Sequence, residues 1–496
     1  MHIAILLPDG VGVRNFLLGG FLRQPGGCGE VWLPTGMDEG LGETYRGFVG
    51  EGYALDTLKL YRERPRAAFL RYSLAYAQMN WGDTLAMRHV RCLPVTGSWR
   101  RQVLHRSAKA LGRTMATPRG MRRLDAWHCR EVARAPEVEY YLQAFARDRP
   151  DVLFCSHQRP PDVLPPVLAA QSLGIPTATF IFSWDNLTSK GRIAAPFDHY
   201  LVWSDLMRKE CLRYYPDVSE DRVHVVGTPQ FDPYADEELI QTRGEFFRSF
   251  GADPWRPLIC YSGGDHGTSP DDPEHARVLL EYVRAGRIRK NPRVLVRPAP
   301  VDDGTRYAAL RRDFPEMIFA RPAWVHASPG DWSRVFPLPE DVRFLANLTR
   351  HADLNVNMAS TMTLDFAIHD KPVVNVAFDT VNPPRFGVPY WEYYYRFEHY
   401  RPVVELGAAR FARSPEELAE HVNVYLDDPS LDWEGRSRFV ELEVGCPIGR
   451  SAQAVLECLS RIARGEQPEA DVVSRGEGRD AVISWPHQPH SPLLNL

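Results

Sequence analysis

The 496-residue sequence predicts an α/β protein built from two successive parallel-sheet units, followed by terminal helices. Three observations predict it. Short apolar, β-branched runs alternate with helical patterns through the first half. The alternation breaks at "GTPQFDPY", where Gly227, Pro229 and Pro233 interrupt both periods. It then restarts and continues to "KPVVNVAF". Strands that alternate with helices form parallel sheets.

In chain order, "HIAILLP" (2–8) reads as a buried strand, and "DGVGVRNFLLGGFLRQ" as a glycine-containing turn and a helix. "EVWLPT" (30–35) is the next strand, and long helical patterns fill much of 62–145. Four more strands follow: "DVLFCS" (151–156), "PTATFIFS" (176–183), "HYLVWS" (199–204) and "VHVVGTP" (223–229). Beyond the break come "PLICYSGG" (257–264), "RVLVRPAP" (293–300), "EMIFA" (316–320), "ADLNVN" (352–357) and "KPVVNVAF" (371–378). "SPEELAEHVNVYL" carries a helix start, with Ser414 as cap, Pro415 in the first turn and Glu417 three residues after the cap. A last helix aligns Ala452, Val455, Leu456, Leu459 and Ile462 on one face. The expected division is 1–230, 231–430, terminal helices over 431–465, and a disordered tail over 466–496 rich in Glu, Gln, Pro, Arg and Gly. Ligands of such sheets bind beyond the carboxyl ends of the strands, so two Rossmann-like units imply a cleft enzyme.

Composition bounds the function. Hydrophobic content of 44% and charged content of 25% are those of a soluble globular protein. A net charge of −4 gives no global attraction to nucleic acid. Eight scattered cysteines without a Cys-x-x-Cys pair read as free thiols in a reducing compartment. "MHIAILLPDG" lacks the cationic start of a signal peptide, and no apolar run reaches membrane-spanning length, so a cytoplasmic location is expected. No spacing suits a metal. One local imbalance stands out: eight lysines and arginines and no acid between Arg100 and Arg123. With Val103, Leu104, Leu111 and Met115 as apolar partners, this segment is a candidate for peripheral contact with an anionic inner-membrane surface. A solvated helical face is the plainer alternative.

"ADLNVNMASTMTLDFAIHDKPVVNVAFD" joins a strand to a short helix through small residues. Helix-start N–H groups and the hydroxyls of Ser360 and Thr361 suit a diphosphate, and Asp365, a turn later, suits a ribose hydroxyl pair. An ordinary capped helix is the alternative. Across the expected cleft, a general base belongs at a strand's carboxyl end. Asp185 in "FSWDNLTSKG" and His157 in "FCSHQRP" are the two candidates, against an Asx-turn for the first and a satisfied loop histidine for the second. Arg14 and Asn15 follow the first strand, and Lys190 could meet phosphate. His399 lies in the aromatic run "WEYYYRFEHYRP", which is either an acceptor channel or interdomain packing.

The stretch from "ADLNVN" to "VAFD" resembles the donor-nucleotide segment of GT-B glycosyltransferases. It is closest to the branch holding CDP-glycerol glycerophosphotransferases, UDP-N-acetylglucosamine 2-epimerases and surface-polysaccharide transferases. "FSWDNLTSKG", "VVGTPQFD" and "VLVRPAP" are similar in order and spacing, so the likeness spans about residues 151–402. The resemblance implies a GT-B fold and a nucleotide-sugar co-substrate with no further cofactor and no metal. Ser262 and Gly263 would line the diphosphate, and Arg297 would be its cationic partner. The implied activity is sugar transfer to a glycan or lipid-linked acceptor. Asn357, where retaining enzymes of this fold often carry a first glutamate, favours inversion. The alternatives are a 2-epimerase, a CDP-glycerol-type glycerophosphotransferase, which Ala299 in "RPAP" disfavours, or a non-catalytic nucleotide-sugar-binding protein.

Overall fold

The structure, a computed structural model, describes residues 1–327, 332–382 and 388–466. The tail expected to be disordered lies, after Glu466, outside the described residues.

Seven strands form the first sheet: β1 (His2–Leu6), β2 (Cys28–Leu33), β3 (Tyr53–Thr57), β4 (Val152–Cys155), β5 (Thr177–Phe180), β6 (His199–Val202) and β7 (Val223–Val225). Their order is β3-β2-β1-β4-β5-β6-β7, and all pairs are parallel. The central runs are buried along their whole length, as strands covered by helices on both faces must be. β3 is absent from the sequence reading. Its "YALDT" is half-buried to exposed, as an edge strand with one covered neighbour allows.

Six strands form the second sheet: β8 (Leu258–Ser262), β9 (Arg293–Arg297), β10 (Ile318–Phe319), β13 (Leu354–Asn357), β14 (Val373–Val376) and β15 (Arg410–Ala412). The order is β10-β9-β8-β13-β14-β15, again parallel. Between β10 and β13 the chain makes a small antiparallel hairpin, β11 (Trp324–His326) and β12 (Val335–Pro337), which the sequence reading also lacks. The "GTPQFDPY" break is not an open linker. It is a buried 3-10 helix, Pro229–Tyr234, capped by Thr228.

After the second sheet the chain returns to the first. The helix Trp433–Glu443 packs on Met362–Ala367 and on Asp205–Tyr214, and the helix Ser451–Ala463 packs on β4 and on Pro229–Tyr234. Asp232 fastens this return by accepting from the N–H groups of Gly449, Ser451 and Ala452. Among the described residues no helix is long and apolar enough to cross a membrane.

Candidate active site

β1 and β4 are neighbours in register, Leu6 beside Cys155, so the residues just past their carboxyl ends meet. Asp9 and His157 are those residues. Asp9 caps the short helix Gly10–Gly12, one oxygen accepting from the Gly12 N–H at 2.9 Å. Its other oxygen pairs with His157 Nδ1. Burial alone would raise the Asp9 carboxyl, but His157 and the N–H groups of Gly12 and Val11 outweigh it and hold it below the usual range. The imidazole lies on the Phe182 ring, 4.0 Å between centroids, and its Nε2 is buried with no hydrogen-bond partner among the described residues. Gly12 lies close to Ser156: a Cβ there would come within 2.4 Å of Ser156 Oγ.

A second group bridges the two units. Asp365, 2% exposed, accepts from Tyr234 OH, and Arg14 and Arg297 lie within electrostatic range. Burial raises the Asp365 carboxyl to about 6, against the Tyr234 bond and the two arginines. Arg297 points one guanidinium nitrogen at both oxygens of Asp341, 2.9 and 3.0 Å away, and Asp341 also accepts from Trp324 Nε1 and Ala323 N–H. The other terminal guanidinium nitrogen of Arg297, Nη1, is buried and has no partner among the described residues. Arg14 holds Asn15 Oδ1 through its Nε at 2.9 Å. The second unit presses on this seam: a Cβ on Gly10 would lie 2.0 Å from the Val335 carbonyl oxygen, and Tyr45 OH donates to Pro337 O at 2.8 Å.

A third group gathers Asp185, Lys190 and His399. Asp185 accepts from Ser183 Oγ at 2.6 Å, Asn186 Nδ2 at 2.9 Å and Ser189 Oγ at 2.8 Å, with Lys190 Nζ at 3.5 Å. Burial would raise its carboxyl, but Lys190, His399 and these donors hold it far below the usual range. A carboxylate so satisfied is a weak proton acceptor. His399 is pushed down to about 4 by burial and contacts Thr188 Oγ1 at 3.3 Å.

Other expected positions are committed elsewhere. Ser262 is buried, and its hydroxyl accepts from Asn355 Nδ2 at 2.8 Å, inside a chain of polar groups that runs through Asn357 and Thr363 to Tyr400. Gly263 donates to Arg297 O at 2.9 Å and lies close under Tyr307 OH. Ser360 donates its N–H to Asn357 Oδ1 and accepts from Met362 N–H, while Thr361 is exposed. The expected diphosphate lining therefore spends most of its donors within the protein, and Asp365 meets Tyr234 where a ribose contact was expected. The aromatic run packs between units: His89 lies 4.4 Å from Tyr393 and 5.7 Å from Phe397, and Leu85 N–H donates to Glu398. Among the described residues no group of three His, Cys, Asp or Glu side chains is placed to hold a metal ion.

No family model matches this sequence, and no curated protein matches it. Solved structures do. A UDP-GlcNAc 2-epimerase from Neisseria meningitidis bound to UDP-GlcNAc aligns over 93% of this chain and 100% of its own, with TM-score 0.53 and 10% identity. A UDP-GlcNAc 2-epimerase from Methanocaldococcus jannaschii aligns over 93% and 99%, with TM-score 0.51 and 13% identity. An S. aureus MnaA–UDP co-structure aligns over 94% and 99%, with TM-score 0.51 and 10% identity. The chain has the GT-B fold. In GT-B terms the Asp9–His157 pair and the Arg14–Asp365–Arg297 group occupy the seam between the two Rossmann-like units. Asp9, Tyr234 and Asp341 are the members that sequence reading missed. Asp9 sat in view, directly after the first apolar run in "LLPDG".

Proposed function

We propose that this protein is a nucleotide-sugar enzyme whose base is His157, held by Asp9, and that it performs inverting glycosyl transfer. The observation that carries the reading is the dyad itself: a histidine fixed through Nδ1 by a carboxylate, with Nε2 free at the carboxyl end of a central strand. Nδ1–H donation to Asp9 makes Nε2 the basic nitrogen. Nε2 takes the proton of an acceptor hydroxyl as that oxygen bonds to the anomeric carbon. The bond from that carbon to the nucleoside diphosphate breaks, and Asp9 stabilises the imidazolium that forms. Negative charge grows on the leaving diphosphate, which Arg14 and the unpartnered Arg297 nitrogen would meet. The acceptor is a glycan or a lipid-linked sugar, the latter placing the enzyme against a membrane surface.

A second reading is 2-epimerisation of a UDP-sugar. It is favoured by solved structures named as epimerases, which align over nearly their whole length. There the same base would act on the sugar ring with no acceptor. Against it, two candidate carboxylates are already engaged, Asp9 by His157 and Asp185 by its four donors.

The test is the fate of UDP-N-acetylglucosamine and other nucleotide sugars in the presence and absence of acceptor. Free nucleoside diphosphate formed only with acceptor supports transfer. A C2 epimer formed without acceptor replaces that reading with the second. No change in melting temperature with UDP, CDP, GDP or CMP, and no turnover, removes both.

A further inference from the structure

No acid lies between Thr84 and Leu124. The structure folds most of this stretch into the helices Leu85–Cys92 and Trp99–Thr114 and the first part of Pro118–Val132, all packed on the long helix Pro65–Gly82. Trp99–Thr114 turns Ala108 and Gly112 inward; a Cβ on Gly112 would lie 2.6 Å from Tyr76 Cβ. Leu111 and Met115 also pack inward, on a core of Leu70, Leu74, Met121 and Leu124. They are therefore not the apolar face that the sequence pattern offered to a membrane.

The outward face is a different strip. Trp99, Val103, Arg106, Ala110 and Arg113 are spaced four, three, four and three residues apart, which sets them on one side of the helix. Trp99 is 69% exposed and Val103 48%. The preceding turn presents Leu93, also exposed. Arg100 stacks over the Trp99 ring at 5.6 Å. Arg100, Arg106 and Arg113 make no ion pair with any described carboxylate, unlike Arg88 and Arg91, which share Asp83.

We propose that this strip docks on an anionic lipid bilayer. Three unpaired arginines would face lipid phosphates. Trp99, Val103 and Leu93 would enter the boundary between headgroups and acyl chains, the level that tryptophan prefers. A phosphodiester backbone of nucleic acid would match the arginines but leave the exposed valine and leucine uncovered. The proposal deepens the lipid-linked-acceptor side of the reading above, and it names the surface. Its test needs no substrate, so the two stand or fall separately.

The experiment is co-sedimentation of the full chain with vesicles of phosphatidylcholine alone and of phosphatidylcholine with phosphatidylglycerol. Binding to the anionic vesicles that weakens with salt is expected. Trp99→Ser with Val103→Ser should reduce partitioning, and serine at Arg100, Arg106 and Arg113 should reduce it on the order of tenfold or more. All five side chains are on the surface, so both variants should melt as the parent does and keep any nucleotide-induced melting shift. No binding to anionic vesicles at low ionic strength overturns the proposal. So does binding unaffected by the Trp99 and Val103 changes. Tighter binding of single-stranded RNA than of anionic vesicles would assign the strip to nucleic acid instead. A missing nucleotide shift with intact vesicle binding would count against the enzymatic reading alone.

Discussion

Asp9 holds His157 across two adjacent strands while its other oxygen caps the helix that starts beside it. One carboxylate thus fixes both the ring and the turn, and leaves a single ring nitrogen, Nε2, without a partner. The pairing also sets the tautomer, because an ionised carboxylate can only accept.

His157→Gln should therefore lower turnover by roughly 100-fold or more, the usual worth of positioned acid–base catalysis. Nucleotide affinity by calorimetry should stay unchanged, since the arginines that would meet the diphosphate are untouched. Asp185→Asn should have a much smaller effect on turnover. Equal losses in the two variants would return the base to Asp185.

The arginine–aspartate pair behind the seam makes a stability prediction. Arg297 and Asp341 are both almost fully buried. Arg297→Met leaves Asp341 a buried charge without its cation and should cost about 3–5 kcal/mol, measured by denaturant unfolding. Adding Asp341→Leu should recover much of that loss. A double variant as unstable as the single one would show that Asp341 is held by its Trp324 and Ala323 donors and needs no cation.

The central strands of both sheets were legible because buried parallel strands are continuous apolar runs. β3, β11, β12 and β15 were not: one is a half-exposed edge, and the others are three residues long. The site was legible in halves. His157, Arg14 and Asp365 stand out by lying after strand ends or early in a helix, and Arg297 only through the likeness to the GT-B segment. Their partners do not, because the contacts that define them span 148 residues for Asp9–His157 and 131 for Tyr234–Asp365. Ser262 and Asp185 were read without their partners for a related reason. A polar residue at a strand end looks free in sequence, and only the fold shows which donors and acceptors already satisfy it.

Glu443 predicts a pH effect. It ends the helix that returns from the second unit to the first, is 2% exposed, and is pushed up to about 8 by burial. The folded state thus binds this proton more tightly than the unfolded chain does. Its contribution is fully present below the ordinary glutamate range and is lost progressively as pH rises to about 8. Glu443→Gln removes that loss. The variant should match the parent near pH 4 and exceed it by roughly 3 kcal/mol near pH 7. Thermal melts across that window check it, and a constant difference at all pH values would refute the linkage.

Gly10 tests the seam between the units. A methyl group there would have to sit 2.0 Å from the Val335 carbonyl, which is backbone and cannot turn aside. The glycine is not needed for its own dihedral angles, because it starts an ordinary helical turn. Gly10→Ala should therefore leave the first sheet intact and push β12 away. It should also weaken the adjoining Tyr45–Pro337 bond and loosen the closure that brings Arg14 toward Asp365. The expected readouts are faster amide hydrogen exchange in 324–326 and at Val335 and Phe336, with unchanged protection in β1 and β4. Nucleotide binding should weaken as well, if both units must close on the ligand. Because a local opening of this kind is separable from global unfolding, the melting temperature should fall by only a few degrees. Protection lost equally in both sheets would mean that Gly10 supports the whole fold, and unchanged exchange in the hairpin would mean that the seam is not closed in solution.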